Sequence, residues 1–110
     1  DILYRMQQEH RSYVPDEKYA RILPALRKIR ENFRENKKIS YYAQLCHMSE
    51  SNLRLLFKEF TGSSLIEYRN RIRITEARKL IDSGEFSVAE AAYLVGFNNM
   101  SFFYEQMRAY

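Results

Sequence analysis

Glycine, proline and cysteine are scarce in this chain. Three glycines and two prolines in 110 residues, with no alternating β-branched run long enough for a strand, argue against a sheet and predict helices throughout. The single cysteine, Cys46, excludes an intrachain disulfide and fits a reducing compartment. Apolar runs extend over only a few residues, so no segment is expected to span a membrane. No charged-then-apolar leader opens the chain. It starts at Asp1 rather than Met, which suggests a fragment or a processed product.

Charge is present but unevenly spread. The net charge of +4 is a mild hint of a polyanionic partner. Residues 18–38 hold eight Lys/Arg against two Glu, a net +6. Residues 80–110 hold only Arg108 against Asp82, Glu85, Glu90 and Glu105, a net −3. A uniform basic patch is therefore not expected.

Turn and cap signals divide the chain. Asp16 can cap a helix with Glu17 in its first turn, and Pro24 kinks or restarts it. Ile22, Leu26, Ile29 and Phe33 recur every three or four residues and mark one buried face. The loop "NKKIS" leads to a short helix over 39–46 and another over 50–60, which Gly62 ends as a left-handed residue. A longer helix over 64–82 turns Leu65, Tyr68, Ile72, Ala77, Leu80 and Ile81 inward, and Gly84 closes it. Ser87 and Glu90 form an S-x-x-E capping box. The helix it opens runs to Leu94, a turn covers Val95–Asn98, and a last helix begins at Asn99.

Two stretches repeat each other. Ala43, Leu45, His47, Met48, Leu53 and Phe57 match Ala92, Leu94, Gly96, Phe97, Phe103 and Met107. The separation is 49 residues, rising to 50 after one insertion. Each copy reads as a helix-turn-helix. Ala92 allows close helix contact, and His47 and Gly96 occupy the sharp turns, where glycine takes a positive φ without steric cost. Phe97 plugs the angle between the helices, while Phe103 and Met107, at i and i+4, hold the second helix down. The opposite face of that helix is then free to enter a DNA major groove.

On the stretches "MSESNLRLLFKEFTG", "EYRNRIRITEARKLI" and "SVAEAAYLVGFNNMSFF", the chain from about Ile22 onward resembles the DNA-binding domain of the AraC/XylS transcription regulators. The resemblance implies an all-α fold of two homeodomain-like helix-turn-helix units joined by a long linker helix. The units are placed at 16–63 and 84–110, with the linker at 64–83. Residues 1–15 are then a connector from a preceding effector or dimerisation domain. The family continues with a Gly-x-x-Pro-x-x-Tyr stretch and a final helix, so the second unit is expected to be C-terminally incomplete. Double-stranded DNA is the implied partner, RNA polymerase a second one, and the bacterial cytoplasm and nucleoid the implied location.

Pattern and resemblance together assign the site. Pattern turns Glu50, Ser51, Arg54 and Leu55 outward; by resemblance Ser51, Arg54 and Leu55 fall where the family contacts base edges. In the second unit the matching positions are Asn99, Met100, Ser101, Tyr104 and Glu105. Lys58, Arg71, Arg73 and Arg108 are the phosphate candidates. The family often carries Arg where Leu55 and Glu105 stand. Leu55 suits a thymine methyl; Glu105 suits cytosine N4 but repels phosphate. The first unit is accordingly expected to dominate affinity.

Other readings of the same residues remain beside these. Cys46 and His47 lack a second pair at ligand spacing, and His10 is remote, so a small core residue and a turn residue are expected. No catalytic residue, metal site or cofactor is expected. Arg69, Arg71, Arg73, Arg78 and Lys79 either grip phosphates or form a solvated face with Glu67 and Glu76. Tyr42, Tyr68 and Tyr93 sit at helix-packing spacing, as core or boundary, rather than as stacking platforms for single-stranded bases. The rival function is an interaction module that dimerises or docks on a sensor domain or polymerase. The weak charge of the second unit favours it.

Overall fold

The structure is a computed structural model that describes residues 17–110, with Lys18 described only in its backbone. The connector over 1–15 and the Asp16 cap lie outside the described residues. Helix α1 spans Glu17–Ala20 and α2 spans Leu23–Glu31. Pro24 sits in the first turn of α2, where no hydrogen bond is lost by its missing N–H, so it restarts the helix rather than kinking it. Then follow α3 (Ile39–Leu45), α4 (Glu50–Thr61), α5 (Leu65–Asp82), α6 (Val88–Leu94) and α7 (Met100–Ala109). The described residues are all-α, with no strand among them.

Local chemistry sets most boundaries. Ser49, Ser64, Ser87 and Asn99 precede α4, α5, α6 and α7, and each side chain accepts a backbone N–H three residues on. Both Ser64–Glu67 and Ser87–Glu90 close as reciprocal capping boxes, the second with a 2.8 Å bond from Ser87 N–H to Glu90 Oε1. Gly62 ends α4 at φ 84°, and Gly84 follows α5 at φ 78°.

The repeat is visible in the backbone. Helices α3 and α6 have seven residues each and sit 49 positions apart. Both end in the same Schellman turn. In the first, His47 N–H donates to Gln44 C=O and Met48 N–H to Ala43 C=O, both at 3.1 Å. In the second, Gly96 N–H donates to Tyr93 C=O at 3.1 Å and Phe97 N–H to Ala92 C=O at 3.0 Å. The caps Ser49 and Asn99 stand 50 apart, so the extra residue of the second copy lies in its turn, at Asn98 or Asn99.

Two apolar clusters follow. The first gathers Ile22, Leu26, Ile29, Tyr42, Ala43, Leu53 and Phe57, with Leu65 and Tyr68 from the start of α5. The second gathers Ala91, Ala92, Val95, Phe97 and Phe103, with Ile74 and Ala77 from the rest of α5. Full burial of a side chain such as Phe57 or Phe103 contributes about 2–3 kcal/mol. Helix α5 thus carries one unit at each end, and the molecule extends 43 Å along its longest axis. Phe33, which follows α2 in the chain, packs in the second cluster rather than the first.

The capping boxes generate a pH prediction. Both carboxyls are held below their ordinary value of 4.5. For Glu67 the Ser64 side chain is the main cause and the Ser64 backbone the next; for Glu90 the Ser87 backbone leads. A depressed folded pKa stabilises above the unfolded value, and that stability is lost as pH falls through the folded one. The urea midpoint of the wild type is therefore expected to fall on acidification below about pH 4.5 more than that of a Glu67→Gln/Glu90→Gln variant, whose amides still accept at the caps. Parallel curves would contradict this.

Candidate nucleic-acid interface

Helix α4 is held by Leu53, Leu56 and Phe57 and leaves Glu50, Ser51, Arg54, Leu55 and Lys58 exposed. Leu55 is 57 % exposed, far from where a packing leucine would sit. Arg54 Nη2 meets Glu50 Oε1 at 3.3 Å along the helix. Such an exposed i,i+4 pair holds the guanidinium by only about 0.3–0.5 kcal/mol, so Arg54 is easily released to another acceptor.

Helix α7 is held by Phe103 and, less completely, by Met107. It leaves Met100, Ser101, Tyr104, Glu105 and Arg108 exposed. Asn99 spends its Oδ1 on the Phe102 N–H at 2.9 Å, which leaves its amide NH2 as a donor. Phe102 lies partly open against Phe97, and the Tyr104 ring stacks edge-on against Phe103.

The linker arginines divide in a way that sequence reasoning missed. Arg71 is exposed, its guanidinium 5.1 Å from the centre of the Tyr110 ring. Arg73, expected as a phosphate contact, is 3 % exposed. Its Nε donates to Phe33 C=O at 2.6 Å, Nη2 to Glu35 C=O at 2.9 Å and Nη1 to Gly96 C=O at 3.3 Å. With its donors directed at main-chain carbonyls inside the fold, Arg73 is not available to DNA, and its assignment is corrected. Burial pushes its pKa down to about 10, Arg69 adding to the shift and Tyr42 opposing it, so it remains a cation at neutral pH. Arg69 is buried too and donates to Lys37 C=O at 2.8 Å and to the Tyr42 hydroxyl at 3.2 Å. Arg78 donates to Met107 C=O at 2.8 Å. Neither a phosphate grip nor a solvated face describes Arg69 and Arg73. The available signal was their spacing: they interleave between Leu65 and Ala77 on one i+4 row.

Two more side chains complete this arrangement. Arg34 Nε donates to Leu94 C=O at 3.1 Å, and Asn36 Nδ2 to Gly96 C=O at 3.2 Å. The loop between α2 and α3 is thereby tied both to α5 and to the second turn. Tyr93, expected at a packing position, is 77 % exposed beside that turn. Tyr42 and Tyr68 are buried.

The turn residues differ in tolerance. His47 holds φ 53°, a left-handed conformation that a non-glycine residue adopts at a cost. Gly96 holds φ 110°, and a Cβ there would lie 2.7 Å from Arg34 C=O and 2.9 Å from Arg73 Cζ. Cys46 is buried in the first cluster, and burial pushes its thiol pKa up, the reverse of what a nucleophile needs. Among the described residues no group of three or more His, Cys, Asp or Glu could hold a metal ion. No helix among them is long and apolar enough to cross a membrane.

Comparison with known proteins agrees with this geometry. A family model described as a helix-turn-helix domain matches residues 42–110, which takes in both turns and the whole of α5. The chain belongs to the AraC-type helix-turn-helix family. It is 29 % identical over 75 residues to the bifunctional transcriptional activator/DNA repair enzyme AdaA of Bacillus subtilis, covering 68 % of this chain and 36 % of that protein. It is 33 % identical over 61 residues to the HTH-type transcriptional regulator GlxA of Rhizobium meliloti, covering 56 % and 19 %. It is 32 % identical over 69 residues to the probable transcription factor PqrA of Proteus vulgaris, covering 63 % and 57 %. The chain thus spans less than two thirds of each of these relatives. No solved structure matches significantly. As a member of this AraC-type family the chain is a DNA-binding domain of transcription regulation.

The two turns generate a paired prediction. Gly96→Ala adds a clash to an unfavourable φ and is expected to cost more than about 2 kcal/mol. Gly84→Ala, with open space around it, is expected to cost about 1 kcal/mol. His47→Gly relieves strain and is expected to change stability by less than about 1 kcal/mol in either direction. Chemical denaturation of the three variants checks the order; a Gly96→Ala loss no larger than that of Gly84→Ala would contradict it.

Proposed function

We propose that α4 and α7 are the two recognition helices of a monomer that reads two boxes on one face of a DNA duplex, entering successive major grooves. The observation that carries this reading is the recurrence of one Schellman-turned helix pair at both ends of α5. At about 1.5 Å per residue the 18 residues of α5 measure roughly 27 Å, comparable to the roughly 34 Å of one duplex turn. The family membership and the regulators among its relatives support DNA as the ligand.

In this reading Ser51, Arg54 and Leu55 read the first box. Arg54 leaves Glu50 to pair with a guanine O6/N7 edge, and Leu55 meets a thymine methyl. Asn99, Met100, Ser101, Tyr104 and Glu105 read the second. Lys58, Arg71 and Arg108 meet phosphates, giving affinity without sequence information. The chain binds and does not catalyse; the raised thiol pKa of buried Cys46 supports that. It acts in the bacterial cytoplasm as part of a longer protein, with an effector domain before residue 1 and polymerase as a further partner. The greater length of its relatives supports the larger protein.

One observation favours a second reading. Tyr93, Leu94, Met100, Phe102 and Tyr104 are exposed on the more acidic unit, a surface that suits protein contact. Gel shifts separate the two. Arg54→Ala is expected to weaken binding by about 10- to 100-fold, as one lost bidentate base contact implies. Tyr104→Ala is expected to cost less. With three phosphates neutralised, by Lys58, Arg71 and Arg108, log affinity should fall with log salt at a slope of about −3. A flat salt response, or an equal or larger loss from Tyr104→Ala, would move the weight to the second unit or to a protein partner.

A further inference from the structure

We propose that Arg73, with Arg34 and Asn36, sets the spacing between the two DNA boxes by fixing how the second unit sits on the first. This rests on the reading of α4 and α7 as recognition helices. A connecting helix fixes the distance between two units but not their rotation about it. Apolar contact alone is non-directional and leaves that rotation soft. Hydrogen bonds are directional, and the guanidinium is a rigid planar fork with five donors.

Arg73 is the group that bonds the backbone of both units at once. Two of its acceptors, Phe33 C=O and Glu35 C=O, belong to the loop before α3; the third, Gly96 C=O, is the turn before the second recognition helix. Gly96 C=O takes a second bond from Asn36, and Leu94 C=O takes one from Arg34. Arg69 pins the far end of the same loop at Lys37. The Phe33 ring completes the link inside the second cluster. Loop, linker and second turn are therefore bonded in three directions around one side chain. None of the hydrogen bonds of Arg73 goes to a carboxylate, so its role is geometric placement and not charge pairing. Arg73 is a positioning residue; it acts on DNA only through the helices it orients.

Rigid coupling has a measurable consequence. Binding of the second box is intramolecular once the first is engaged, and the gain disappears where geometry forbids both contacts together. A stiff joint concentrates that gain at one spacing, and a loose joint spreads it.

The test uses the whole chain and three variants. Arg73→Lys keeps the charge but loses the fork. Arg34→Ala/Asn36→Ala removes two exposed ties and leaves the buried arginine in place. Arg73→Ala removes all three bonds, and the other two variants stand in if it does not fold. Duplexes carry two boxes at the preferred spacing, the same boxes moved by one or two base pairs, and one box alone. Wild type is expected to favour its preferred spacing by about 10-fold or more over a two-base-pair shift. The variants are expected to reduce that preference to about 3-fold or less while changing one-box affinity by less than about 2-fold. A uniform loss with the preference intact would mean a merely structural role and would overturn the proposal.

A DNA-free readout keeps the test independent of the functional reading. Spin labels at Ser51→Cys and Ser101→Cys, in a Cys46→Ala background, report the distance between the two helices. A narrow distribution in wild type that broadens in Arg73→Lys supports the fixing of the second unit by Arg73; if the chain then binds no two-box duplex, it is the functional reading that fails. Equal widths overturn the proposal.

Discussion

A buried cation that bonds three main-chain carbonyls is the constraint on which the arrangement of this domain depends. Taking the guanidinium of Arg73 out of water costs several kcal/mol unless its donors are satisfied. They are satisfied only if the loop before α3, the helix α5 and the turn before α7 meet at one place. Charge-assisted hydrogen bonds, each worth about 1.5–3 kcal/mol, make alternative docking of the second unit unfavourable, because rotation of that unit takes the Gly96 acceptor away from a buried guanidinium. Gly96 is part of the same requirement. Its carbonyl is an acceptor in the cluster, and the space its missing side chain leaves is filled by Arg34 C=O and the Arg73 guanidinium.

That requirement explains why two copies of one motif are not equivalent. Both turns use the same pair of backbone bonds, and both place a left-handed residue after a short helix. The first turn accepts His47, which remains exposed. The second is pressed against a loop from the other unit and takes glycine. The recognition faces differ as well: α4 offers Arg54 and Lys58 around Leu55, whereas α7 offers Met100 and Tyr104 around Glu105. In the proposed reading one unit is suited to phosphate and guanine, the other to softer contacts that depend on being placed correctly by the first.

Much of this was legible in the residues. The end of α4 and the start of α6 follow from Gly62 and Ser87, because capping is local chemistry between residues three or four apart. The inward row Ile22, Leu26, Ile29 and Phe33 is buried as its period predicts, although nothing in that period could say that Phe33 joins the far cluster. Tyr93 shows the weakness of spacing alone. It follows the buried pair Ala91 and Ala92 and falls at a packing interval, yet it points outward. Arg69 and Arg73 were hidden for a deeper reason. Periodicity counts arginine as polar and so places it outside, whereas its burial depends on carbonyls 23 to 40 residues away that meet it only in the folded chain.

The claim that both recognition helices meet one side of the duplex is tested most directly by hydroxyl-radical footprinting of the wild-type chain on its selected site. The account expects two protected patches on each strand, about one helical turn apart and on a common face. A single protected patch, or two patches on opposite faces, would contradict it.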